Sequence, residues 1–398
     1  MPAQPDPVQP QFHLTDIDLP YTPSAVTVDR IPRAMLPAAV AEAASDPDPS
    51  NMYMRMCYVL QALGKEDLAM EMQAKALEYR SLYRISTPSS PAVKLLALMG
   101  PGSLLENTPL DYVVENSDIR LDLLYVHPDL TLPEDLPEHD VAIVALAESD
   151  KNRPLLMSLD ALLAHWPRPI LNYPLRVLGC ARDAVFQQLQ DIPNLIVPDV
   201  RRCNRAQAMC DGYDYPMTIR PLDTHCGNGL MKINARVELD AYLSNTAGDE
   251  FFISEYVDYR SHDGRFRKLR IALIDGQPYL CHLAISDHWV VHYLSSDMQK
   301  SDEKRAEEAE MMESFERDFA VRHHLALKTI SEKLGLDYVI LDCGETRDGR
   351  LLLFEADTRG WIHATDPVEI FPYKQMAMQK AFDAFKAMLV SRSQVGRS

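Results

Sequence analysis

The alternation of apolar and polar positions changes character several times along the 398 residues, and those changes divide the chain. Residues 1–45 are rich in Pro and Asp with little periodicity, which predicts an extended tail whose Phe12, Leu14, Leu19 and Tyr21 dock on the body. From Asp48 the period becomes helical. Met52, Met56, Val59 and Leu60 line one helix and Leu68, Met72, Ala76 and Leu77 the next, with Gly64 between them, giving a helical hairpin over 46–88.

Residues 89–171 alternate strand and helix. Val93–Met99, Leu121–Val126, Val141–Ala147 and Pro169–Leu171 read as strands, and Ser103–Glu115 and Arg153–Trp166 as helices, which predicts a small parallel α/β domain. The Gly100-Pro101-Gly102 turn after the first strand is either a phosphate cradle or a plain strand-to-helix turn, and no GxGxxG pattern accompanies it.

From Asn172 the pattern changes again. A helix over Arg182–Leu189 leads to YPMTIRPLDTHCGNGLMKI, in which two short strands bracket the polar loop Asp223–Gly229. Gly227 and Gly229 tolerate the backbone angles needed to turn N–H groups towards phosphate oxygens, although an ordinary hairpin turn has the same composition. Glu250–Tyr259 gives a strand with Glu255 beside Tyr256 and Val257. RKLRIALIDGQPYLCHLAI is a hairpin turning at Asp275-Gly276, and its Lys268 and Arg270 share one face. Half-buried cations there require an anion, either a bound nucleotide or carboxylate or a neighbouring Asp or Glu. Ser301–Glu316 and Phe319–Leu334 read as helices, the second with Leu325, Ile330 and Leu334 towards the core, and Lys374–Leu389 as a last helix.

Between those last helices stands GLDYVILDCGETRDGRLLLFEAD, Gly335 to Asp357. Two β-type runs, Tyr338–Leu341 and Leu351–Phe354, flank a turn at Asp348-Gly349, and each run ends in acid. Asp342 closes the first and Glu355 and Asp357 the second, so antiparallel pairing gathers oxygen donors of the kind Mg²⁺ favours alongside substrate phosphates. The other reading is a set of solvated acids on an edge hairpin.

Composition narrows the partners. A net charge of −18 disfavours nucleic acid and anionic membranes, no apolar run is long enough for a bilayer, and the first residues lack the features of a secretory leader, so a cytoplasmic protein is expected. The seven cysteines show no CxxC pair, which favours reduced thiols over a disulfide framework or a zinc site.

A small α/β layer, a glycine-containing loop between strands, a strand ending in Glu, an Arg-bearing strand and a final Asp…Glu-x-Asp hairpin follow one another in order. Together they resemble the ATP-grasp superfamily of carboxylate–amine ligases, which includes D-alanyl-D-alanine ligases and protein glutamate ligases. The resemblance covers Leu171 to Leu389, and the preceding α/β layer looks like the Rossmann-like domain that usually stands before that fold. It implies α/β and α+β architecture, with a central subdomain at 172–258 and a C-terminal subdomain at 259–398. Tyr53, Leu60, Gly64, Ala69 and Ala76 give the helical hairpin tetratricopeptide-like spacing. A single repeat cannot bury its own face, so the hairpin packs on its neighbours or in a homodimer interface.

Carried over by position, the resemblance makes ATP and Mg²⁺ the cofactors, with Asp342, Glu355 and Asp357 as metal ligands. Cys226, Gly227, Asn228 and Gly229 fall in the phosphate loop, and Glu255, Tyr256 and Val257 face the adenine. The family's phosphate-binding lysines are replaced by Arg182 and Arg220, which hold phosphate through a planar fork. Arg270 and Lys268 would steady the transferring phosphoryl, Arg359 a substrate carboxylate, and His225 or His363 the departing proton. His282, His288 and His292 are further candidates for that proton. The implied reaction is amide formation through an acyl phosphate, on a small-molecule or peptide carboxylate and amine. A kinase-like transfer and an inactive nucleotide-binding scaffold are the alternatives.

Overall fold

A computed structural model describes residues 12–19, 21–127, 132–210, 212–222, 224 and 227–395. Contacts divide the chain into two units, Met1–Leu178 with Thr358–His363 and Phe382–Ser398, and Gly179–Asp357 with Ala364–Ala381.

The first unit opens with β1 (His13–Thr15), α1 (Ala25–Asp29) and α2 (Leu36–Ala43). The stretch predicted as an extended tail is therefore partly helical. Ser24 caps α1 by accepting the Thr27 N–H at 3.3 Å, and Ala25, Val26 and Val28 are buried; so short a helix leaves almost no periodicity in sequence. The expected docking is seen: the Phe12 ring lies 4.9 Å from that of Trp166, Leu19 is buried, and the Tyr21 backbone bridges to Arg84.

The helical hairpin is α3 (Pro49–Ala62) and α4 (Glu66–Tyr79), joined at Gly64, whose φ is +70°. Asp48 caps α3 through the N–H groups of Ser50 and Asn51. On α4 the inward face is Ala69, Gln73 and Ala76, and Leu68, expected inside, is 46% exposed. Small residues on that face allow the close approach that a row of leucines would prevent.

The unit continues with β2 (Leu82–Ser86), β3 (Val93–Met99), α5 (Leu110–Val113), β4 (Ile119–Tyr125), β5 (Asp135–Pro137), β6 (Val141–Val144), α6 (Arg153–Leu163), β7 (Ile170–Leu171) and α7 (Pro174–Leu178). Its main sheet runs β2-β4-β3-β6-β7, parallel except for the edge strand β2, while β1 pairs with β5. β4 and β6 are buried along their whole length, as a covered parallel sheet requires. The helix expected at Ser103–Glu115 shrinks to a 3₁₀ turn and α5. Asn107 clamps both the N–H and the carbonyl of Gly100, at 2.7 and 2.8 Å, and Pro109 disfavours a helical Thr108.

The second unit contains α8 (Arg182–Leu189), β8 (Leu195–Ile196), β9 (Val200–Asn204), α9 (Arg205–Ala208), β10 (Met217–Pro221), β11 (Met231–Ile233), α10 (Arg236–Asn245) and β12 (Glu250–Glu255). After these come β13 (Phe266–Ile274), β14 (Gln277–Ser286), α11 (Asp302–Ser314), α12 (Phe319–Arg322), α13 (His324–Leu334), β15 (Tyr338–Glu345), β16 (Leu351–Asp357) and α14 (Lys374–Val395), the last shared with the first unit. Among the described residues its strands form two sheets, an antiparallel β11-β10-β12-β9 and a larger β14-β13-β15-β16-β8, and β8 pairs in parallel with β16 of the larger one. Leu325 is 59% exposed, contrary to expectation. The helix breaks at His323, which shifts the phase so that Ala326 and Leu327 turn inward with Ile330 and Leu334.

No helix among the described residues is long and apolar enough to cross a membrane, and no disulfide joins the described cysteines.

Candidate active site

The larger sheet of the second unit sets four side chains in one row. His282 on β14 is the register partner of Arg270 on β13, Arg270 of Asp342 on β15, and Asp342 of Glu355 on β16. Direct partners in antiparallel strands share a face, so the row follows from local alternation once the register is fixed. Two register shifts flank it, after Arg270 on the β14 side and after Asp342 on the β16 side. Bulges of this kind bend a strand and re-aim the neighbouring side chains.

Within the row the charges are closely matched. Arg270 donates Nε to Asp342 Oδ1 at 2.8 Å and Nη2 to Oδ2 at 3.0 Å, and Lys268 Nζ reaches the same Oδ2 at 3.0 Å. The anion needed by the two cations is thus a neighbouring aspartate. Burial alone would raise the Asp342 carboxyl, but the charges of Arg270 and Lys268 override it and hold the group well below the usual carboxylate range. Arg182, the first residue of α8, donates Nη2 to Glu355 Oε1 at 2.6 Å.

At the other end, Lys374 at the start of α14 is 1% exposed and donates Nζ to His282 Nδ1 at 3.3 Å and to Asp366 at 2.8 Å. A lysine ammonium only donates, so Nδ1 accepts and the imidazole is neutral. Glu308, fully buried on α11, lies 3.5 Å from Lys374 and accepts from Tyr373 Oη at 2.6 Å and from the Leu283 N–H at 3.0 Å. Sequence reading missed Lys374, Glu308 and Asp366. One signal was present: a lysine in the first turn of a helix opposes the helix dipole and needs a reason to be there. His292 is lowered by burial, with Lys268 and Arg270 pushing the same way, so it too is neutral at pH 7.

The metal ligands expected at Asp342, Glu355 and Asp357 resolve into a facing pair, Asp342 and Glu355, with Asp357 opposite Ile340. Among the described residues no three His, Cys, Asp or Glu side chains gather closely enough to hold a metal by themselves.

The glycine loop joins β10 to β11. Gly227 and Gly229 have φ of +76° and +67°, and a Cβ on Gly229 would meet Pro221 Cδ at 2.8 Å, so glycine is required there. A Cβ on Gly227 would meet Val290 Cγ1 at 3.1 Å, which puts the loop against the segment after β14. Arg220 is buried and donates to Thr224 Oγ1 at 3.1 Å and to the Thr224 carbonyl, bracing the base of the loop. Asn228 sits at the turn between the glycines, whereas Asp223, His225 and Cys226 lie outside the described residues.

Glu255 ends β12, and Tyr256 and Val257 lie just beyond it. The Tyr256 ring has Lys232 Nζ 3.5 Å from its centre and stands perpendicular to the Trp289 ring with the ring centres 5.6 Å apart, while Val257 packs on the cluster of Tyr259 and Phe266. Arg359 and His363 fall in Thr358–His363, which groups with the first unit rather than with the acidic hairpin, in contrast to the expected 259–398 subdomain. There Arg359 donates to the Leu105 carbonyl at 3.4 Å, and His363 lies edge-on to Tyr112 at 6.5 Å.

No family model matches the chain, and no curated protein matches it. By structure the chain is similar to an ATP-grasp protein. That neighbour is a RimK domain ATP-grasp protein from Sphaerobacter thermophilus DSM 20745, with a TM-score of 0.41 and 16% identity over 75% of this chain and 99% of that one. A second is the VanG D-Ala:D-Ser ligase from Enterococcus faecalis, with a TM-score of 0.46 and 12% identity over 75% of this chain and 99% of that one.

Proposed function

We propose that the chain is an ATP-grasp carboxylate–amine ligase that activates an acid as its acyl phosphate and passes it to an amine, giving an amide, ADP and phosphate. The observation that carries this reading is the charged row: an ionised Asp342 facing Glu355, with Arg270, Lys268 and Arg182 upon them, in the hairpin where the sequence resemblance expects the phosphate end of the nucleotide.

A facing carboxylate pair suits Mg²⁺, which takes one or two carboxylates and draws its remaining ligands from phosphate and water. Asp342 and Glu355 would hold it. When bound it neutralises charge on the β and γ phosphate oxygens.

Phosphoryl transfer asks the protein chiefly for positioning and charge neutralisation. Lys268 and Arg270 exchange part of their contact with Asp342 for oxygens of the transferring group. Arg182 and Arg220 steady the phosphates, and the Gly227–Gly229 turn shields the acyl phosphate from water. Tyr256 offers an aromatic face to the base. A neutral His292 is suited to accept the proton lost by the attacking amine.

One observation favours the scaffold reading: Lys268 and Arg270 already satisfy Asp342, as a purely structural ion pair would. ADP release measured with pools of amino acids and peptides separates the readings. Release that requires both a carboxylate and an amine supports ligation, release with one acceptor supports a kinase, and binding of ATP without turnover supports the scaffold.

A further inference from the structure

A buried polar cluster in the second unit has no part in the scheme above. Lys374 stands at its centre, and its Nζ has three hydrogens for three close acceptors: His282 Nδ1 at 3.3 Å, Asp366 Oδ2 at 2.8 Å and the Tyr293 hydroxyl. Glu308 lies 3.5 Å away, and the centres of the Tyr293 and Phe371 rings 4.0 and 4.5 Å. Apolar residues of like volume often match or better such a buried ion pair in stability, and this cation also opposes the dipole of α14. Packing alone therefore does not account for it.

Two things are fixed by it. The first is the state of an imidazole. With Nδ1 of His282 accepting from an ammonium, the ring hydrogen is on Nε2, so a neutral N–H donor stands next to Arg270 in the row. The charged groups about the cluster are Lys374 of α14, Asp366 before it, Glu308 of α11 and Arg270 of β13, with the hydroxyls of Tyr293 and Tyr373 between them. The second is a stretch of backbone. Tyr293, whose ring lies 4.6 Å from that of His282, opens a 3₁₀ turn that closes on the His292 carbonyl, which accepts the Ser295 N–H at 3.1 Å and the Ser296 hydroxyl at 2.6 Å. Anchoring Tyr293 therefore anchors His292, whose imidazole feels the charges of Lys268 and Arg270.

We propose that Lys374 is a positioning residue for the row: it locks His282 as the neutral Nε2–H tautomer and, through Tyr293, holds His292 beside Lys268 and Arg270. The positioning role rests on the ligase reading. The lock does not, because it follows from the contacts of Lys374 alone.

Imidazole ¹⁵N resonances of the full chain test the lock, with His282 assigned from the signals lost in His282→Gln. The native chain should show an unprotonated Nδ1 and a protonated Nε2 at pH 7 and still at pH 6. In Lys374→Met the ring is free to take a proton near its ordinary value of about 6.5, so imidazolium should accumulate by pH 6. Should that variant not fold, Lys374→Met with Glu308→Gln replaces it, since one stranded acid is then gone. An imidazolium in the native chain at pH 7, or a neutral His282 in the variant at pH 6, overturns the lock. Tyr293→Phe tests the positioning role: it removes one hydroxyl, keeps the ring, and should lower kcat for ADP release by ~tenfold while KM for Mg·ATP stays within about twofold. Unchanged kcat overturns that role. A native chain that releases no ADP with any pool of carboxylates and amines sinks the ligase reading and the positioning role together, and the lock then stands or falls on the resonances.

Discussion

Arg270 grips Asp342 at two points across adjacent strands, Nε to Oδ1 at 2.8 Å and Nη2 to Oδ2 at 3.0 Å. A planar fork meeting a carboxylate in this way fixes orientation as well as charge. Lys268 completes the clamp, so Asp342 is ionised throughout the working range of pH.

Asp342→Asn therefore affects activity and stability together. It leaves two half-buried cations without their anion, at a cost of roughly 3 kcal/mol in chemical denaturation, and ADP release should fall by ~100-fold or more. Retained turnover would remove Asp342 from the chemistry.

Glu355 behaves differently. Its contact with Arg182 is partly exposed, with side-chain exposures of 20% for Arg182 and 27% for Glu355, so Glu355→Gln should cost no more than about 1 kcal/mol in stability. If Glu355 serves the nucleotide, the KM for Mg·ATP should rise by ~tenfold in the same variant. A stability loss with unchanged KM would mark the pair as structural.

Lys374→Met removes a buried cation from between Asp366 and Glu308 and leaves both acids to bear their own desolvation. A loss of about 3–5 kcal/mol is expected from urea unfolding. Lys374→Met combined with Glu308→Gln should recover part of it, because one of the stranded charges is then gone.

His139 makes the first unit sensitive to acid. It is 1% exposed, takes the Trp166 Nε1–H on Nε2 at 3.0 Å, and its Nδ1 faces the Pro137 carbonyl at 2.7 Å. Burial lowers it to about 4, although the Pro137 carbonyl favours a proton. The unfolded chain takes up a proton near pH 6.5 and the folded chain does not until near pH 4, so stability is full above that window and falls across it by roughly 3 kcal/mol. Unfolding followed from pH 7.5 to 4 should show this slope, and His139→Gln should flatten it.

The local parts of the design are legible in the chain. The alternation around Lys268 and Arg270, the Asp275-Gly276 and Asp348-Gly349 turns and the run of acids at Asp342, Glu355 and Asp357 fix two hairpins and the faces their side chains share. Periods of two and 3.6 and turn chemistry act over a few residues, so hairpins and longer helices follow from them. The short helices α1 and α2 escaped because they are too brief to show a period, and Leu68 and Leu325 were misplaced because apolar character alone does not settle which helix face packs inward.

Tertiary structure decided the partners. Nothing in the spacing announces that Arg182 meets Glu355 across 173 positions, or that Lys374 is sealed against Glu308 and His282. Which charge neutralises which depends on how distant segments pack and exclude water. That is a property of the folded chain's dielectric and geometry, and residue order alone does not carry it.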